Sequence, residues 1–154
     1  MNYNRIDTAY DPDPGGSGEV LLADSGSVQV VFHSRAGHVA IAKFHEYAQL
    51  NFGYPNDEAS GAIHPELVYG FYEVLDSDWS SRLNQQNSLR FPGGLARFNR
   101  KHFIAIFHET TLQVLAQGLS VEAVRDSFSA AVESAGSEFA VVDHGSSVIP
   151  VVGE

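Results

Sequence analysis

Between residues 52 and 65 the chain reads FGYPNDEASGAIHP. Tyr54, Asn56, Asp57, Glu58 and His64 fall within eleven positions there: a phenol, an amide, two carboxylates and an imidazole. Proton transfer and the orientation of a polar ligand require groups of these kinds. Phe52 and Tyr54 could also wall a neighbouring carboxylate with apolar surface and so raise its pKa. The plain alternative is a turn, since a proline ahead of Asn56 and Asp57 suits one in which either side chain accepts backbone N–H bonds.

A second polar knot, FHET at 107–110, closes the apolar run HFIAIF. A charged or titratable pair ending such a run is either an edge feature or a working one, and His108 can serve as acid, base or ligand. Together the two stretches suggest a division of labour. Asp57 or Glu58 would be the base, His108 or His64 the partner acid, and Tyr54 and Asn56 the positioning groups, with His45, Glu109 and Arg97 as further substrate contacts.

Metal chemistry is the weaker expectation. His-Glu occurs at His45-Glu46 and His108-Glu109, but Gln49 and Leu112 stand where a zinc motif of the H-E-x-x-H type needs its second histidine. His102 and His108 on one strand would lie about 20 Å apart, too far to share an ion. A dispersed set of His45, His64, His108 and a carboxylate is left as the metal-dependent alternative. No glycine-rich dinucleotide loop, phosphate-binding P-loop or serine elbow is present in the sequence, so a cofactor-independent enzyme is expected. Arg90, Arg97, Arg100 and Lys101 form a basic neighbourhood, read as a solvated patch ahead of an anion site.

These groups must be held by elements. The run EVLLAD-SGS-VQVVFH predicts an antiparallel hairpin over 19–33, whereas 39–52 suits either a helix with Ile41, Phe44, Ala48 and Phe52 on one stripe and Gly53 at its stop, or, the favoured reading, a strand with Phe44, Glu46, Ala48, Leu50 and Phe52 facing inward. VYGFYEVL predicts another strand, DSDW a helix start running through Trp79 and Leu83, and HFIAIFHETTLQVLAQGL two strands meeting near Glu109 and Thr110, or one long bent strand. His102 is expected at the surface. SVEAVRDSFSAAVESAG predicts a C-terminal helix capped by Ser120, with Gly136 at its stop. The apolar tail, FAVV and VIPVV, would add an edge strand. The fold expected is α+β: a mainly antiparallel sheet, for which barrel-like closure is one form, with a short middle helix and a C-terminal one.

Length and composition bound the rest. The 154 residues suit one domain over 19–154, preceded by a flexible arm over 1–18 in which AYDPDPGGSG concentrates Pro, Gly and Asp. A formal charge of −10 opposes nucleic acid, whose phosphates need clustered cations. The absence of cysteine excludes disulfides and thiol chemistry. With no leader-like segment and no apolar run of membrane-spanning length, the expectation is a cytoplasmic protein that meets a small molecule rather than a membrane. A homodimer is compatible with the sequence. The non-catalytic alternative is a small-ligand carrier, or an acidic immunity- or antitoxin-like protein that covers a basic surface.

The pieces FGYPNDEA, HP, YGFYEV, W and HFIAIFHETT, in this order, resemble a bacterial family of small uncharacterised proteins. The resemblance covers residues 38–117 and implies that they form one unit; it brings no activity or site residue with it.

Overall fold

The computed structural model describes residues 2–16, 18–53, 67–93 and 99–139. The strands are β1 (Tyr3–Ile6), β2 (Val20–Ala23), β3 (Ser27–His33), β4 (Val39–His45), β5 (Gln49–Gly53), β6 (Gly70–Val74), β7 (Lys101–Ile106), β8 (Thr111–Ala116) and β9 (Gly118–Val124). Two helices, α1 (Asp78–Arg90) and α2 (Phe128–Glu138), complete the described elements. The strands form a five-stranded sheet, β1-β6-β7-β8-β5, and a four-stranded sheet, β2-β3-β4-β9. Every described pairing between strands is antiparallel. The architecture is thus α+β, as expected, but the described strands close no barrel.

The alternation of side chains along each strand explains the layers. Val28, Val30, Phe32, Ala40, Ala42 and Phe44 on the four-stranded sheet meet Phe71, Phe103, Ala105, Phe107, Leu112 and Val114 on the five-stranded one. Phe32 lies 5.7 Å from Phe71 and 5.4 Å from Phe107, ring centre to ring centre, so aromatic contacts join the two sheets. Val31 and Ile41 face the opposite way and are covered by Ala131 and Ala135 of α2.

One ladder serves both sheets. His45 stands opposite Gly118, and Gln49 opposite Leu115, so residues 46–48 face only residues 116–117. The extra residue is a bulge, and Glu46 adopts φ 51°, a left-handed conformation rare for a side chain other than glycine. Beyond this corner β4 continues as β5, and β8 as β9, each in the other sheet. The strand expected over 39–52 is therefore two strands, and the added residue leaves Glu46 and Ala48 exposed rather than inward.

Three other expectations change. Residues 3–6, placed in a flexible arm, pair with β6 as an edge strand, and Ile6 packs against the core. Residues 120–124, expected to open the last helix, belong to β9: Leu119, Val121 and Ala123 share the inward face with their partners Phe44, Ala42 and Ala40, while Ser120 and Glu122 turn out. This period of two suits a strand. The helix begins at Phe128, and Ser127 rather than Ser120 caps it, its hydroxyl accepting from the Ala130 N–H at 3.3 Å. Gly136 lies inside the helix and not at its end. Thirdly, His102 is 5% exposed, not a surface residue. The hairpin of β2 and β3, strand β6, the β7–β8 hairpin turning at Glu109 and α1 behind its Ser77 cap agree with the sequence reading. The tail from residue 140 lies outside the described residues. Among those described, no helix is long and apolar enough to cross a membrane.

Candidate functional site

The His108-Glu109 turn projects from one end of the five-stranded sheet. Phe107, fully buried, fixes its base by packing on Phe32 and Phe71, and the Phe107 N–H donates to the Thr110 carbonyl at 2.9 Å. His108 is half-buried and Glu109 exposed. Gly53 is opposite Thr111, Thr111 opposite Ile106, and Ile106 opposite Gly70. These four residues form a single row across β5, β8, β7 and β6. At about 4.8 Å per strand the row spans about 14 Å. The chain therefore leaves β5 on one side of the His108-Glu109 turn and enters β6 on the other. Tyr54, Asn56, Asp57, Glu58 and His64 belong to this connection and lie outside the described residues, as does Arg97.

A group that the sequence reading passed over joins this end. The Gly18 N–H donates to Glu109 Oε2 at 3.3 Å, which brings the following residue, Glu19, beside the turn. Burial pushes the Glu19 carboxyl up, the Glu109 charge adds to the rise, and backbone N–H groups of Glu19, Glu109 and His108 oppose it. A carboxyl that holds its proton above its ordinary range is suited to acid–base exchange. Nothing near Glu19 in sequence could have revealed this, since its neighbour is 90 residues away along the chain.

His45 stands elsewhere. It ends β4, exposed, with Nε2 at 3.0 Å from Ser120 Oγ, beside the corner where Gln117 N–H donates to the His45 carbonyl at 2.9 Å. This is the far end of β8 from His108, about 20 Å away by strand rise. The two imidazoles are not brought together. No cluster of three or more metal-ligating side chains occurs among the described residues.

At that far end, α1 is fastened to β7 by polar contacts, and it contains no buried residue of its own. Ser77 Oγ accepts from the Ser80 N–H at 3.1 Å and lies 2.8 Å from His102 Nδ1. Gln113 presents Oε1 to Nε2 at 3.1 Å, so Nε2 carries the proton and Nδ1 accepts from the Ser77 hydroxyl. Trp79 approaches the ring edge-on at 5.1 Å and donates through Nε1 to Gln49 Oε1 at 2.6 Å. Burial holds the His102 pKa below its ordinary value, partly opposed by Gln113. Both ring nitrogens and the serine oxygen are thus engaged in joining helix to sheet, and a nucleophilic role for Ser77 has no free approach at 5% exposure.

One turn on, Asn84 brackets the backbone of Arg100, accepting from its N–H at 2.8 Å and donating to its carbonyl at 3.2 Å, while Ser80 Oγ donates to the same carbonyl. Between helix and sheet lies a cleft of about 410 Å³, lined in part by Glu73, Ser80, Asn84, Arg100, Lys101 and Gln117. Its volume is in the range of small-molecule sites. Comparison with known proteins returns no match to this chain among family models, curated proteins or solved structures.

Proposed function

We propose that this protein is a small cytoplasmic, cofactor-independent enzyme that acts on a small polar metabolite by acid–base chemistry of the lyase, isomerase or hydrolase kind. The observation that supports the reading is the row Gly53–Thr111–Ile106–Gly70, in which the end of β5 at Gly53 and the start of β6 at Gly70 flank the His108-Glu109 turn. The thirteen residues from 54 to 66 could reach about 43 Å fully extended, against a row of about 14 Å, so their side chains have ample chain length to approach His108. Asp57 or Glu58 would take a proton from substrate, and His108 or His64 would return one. Tyr54 and Asn56 would orient the substrate, and Glu19 would tune the proton affinity of the turn.

The test is an assay in deuterated buffer, without added cofactor, on a mixture of small polar metabolites followed by mass spectrometry. Deuterium uptake or conversion by the wild-type protein, lost in Asp57→Asn and in His108→Ala while the thermal midpoint moves by only a few degrees, supports the enzyme. Binding without turnover supports the non-catalytic carrier. Full activity in both variants removes these residues from the mechanism.

A further inference from the structure

We propose that the cleft between α1 and the start of β7 is a binding site for a small anion, a carboxylate or phosphate group presented by a small molecule. It lies at the opposite end of the five-stranded sheet from His108, so it stands independently of the acid–base reading.

The charge pattern points to an anion. The chain carries 19 acidic residues against 9 lysines and arginines, yet two of those cations, Arg100 and Lys101, line one cleft in which Glu73 is the one acid among the described lining residues. The two cations are held differently. Arg100 has an 11% exposed side chain, with Nη2 3.9 Å from Glu46 Oε2, and its backbone is fixed by Asn84 and Ser80. Its position is set before any ligand arrives, which lowers the ordering cost of binding. Lys101, by contrast, has a 57% exposed side chain and meets Glu73 Oε1 at 3.1 Å. An exposed pair of that kind is weak, so an incoming anion can take Lys101 from Glu73. Asn84, Asn99 and Gln117 add amides, and Ser80 a hydroxyl, to the lining. Amides can donate to an anion and accept from the rest of a polar molecule.

The experiment is a titration of ¹⁵N-labelled full-length protein at low ionic strength, with inorganic phosphate in one arm and succinate in the other, read by amide chemical shifts. Saturable shifts confined to the neighbourhood of Asn84, Asn99 and Lys101 are expected with at least one probe, and the arm that saturates first identifies the headgroup. Lys101→Gln should weaken that binding about tenfold, whereas Glu73→Gln, which releases Lys101 from its competitor, should tighten it. The opposite responses separate binding from packing, because a merely structural ion pair would be weakened alike by both changes. Absence of saturable shifts with either probe, or unchanged affinity in both variants, overturns the proposal.

Discussion

His102 does the work of a fastener. Its ring accepts from Ser77, donates to Gln113 and stacks edge-on with Trp79, linking the first turn of α1 to two strands. His102→Ala removes the partner of both polar neighbours and leaves a cavity, and we expect a loss of about 2–4 kcal/mol in urea unfolding. The same ring gives a pH dependence of definite sign. Its folded pKa lies below the ordinary value of 6.5, so between the two the unfolded chain binds more protons than the folded one. Stability should therefore rise with pH across that window, reach its full value above about 6.5, and lose this step in His102→Ala. This role could not be foreseen from the residues around His102. Arg100 and Lys101 mark the strand start as polar, while the groups that bury His102 arrive from 25 positions back along the chain. The His108-Glu109 turn, by contrast, could be read directly, because an apolar run stops at Phe107 and resumes at Leu112.

Among the elements, the corner at Glu46 controls how the two sheets share a ladder. A left-handed residue with a side chain costs about 1 kcal/mol relative to glycine, and the contact from exposed Glu46 to Arg100 at 3.9 Å contributes little. We expect Glu46→Gly to raise the urea midpoint, by about 0.5–1 kcal/mol of stability. A fall in the midpoint would mean that the corner depends on the Glu46–Arg100 pair. The corner also explains where the sequence was hard to read. Alternation over 39–52 signals a strand, but the added residue that reverses which side chains face inward leaves no mark in composition. Residues 118–124 carry Ala, Glu and Val in proportions that suit a helix too. Their alternation becomes decisive only when β4 supplies Phe44, Ala42 and Ala40 as partners.

For the whole molecule, the first strand matters more than its proline- and glycine-rich surroundings imply. Tyr3–Ile6 covers the edge of β6, and the Asn2 N–H and carbonyl are tied to Asp76 and Leu75. Deleting residues 2–6 bares the backbone of β6, and open edges recruit other strands. We expect a lower thermal midpoint together with concentration-dependent association in light scattering, whereas an unchanged midpoint and unchanged scattering would restore the reading of a flexible arm. Charge at −10 does not protect against this, since backbone pairing at an edge is local and short-ranged.

The bent ladder has a consequence for how the molecule comes apart. Because β4 runs on into β5 and β8 into β9, the two layers share two covalent chains and the hydrogen bonds that cross between them. Peeling one sheet from the other would tear that pair at its corner and uncover the aromatic interface at the same moment. Loss of either layer should thus carry the other with it, and we expect unfolding to be a single cooperative event rather than a stepwise shedding of sheets.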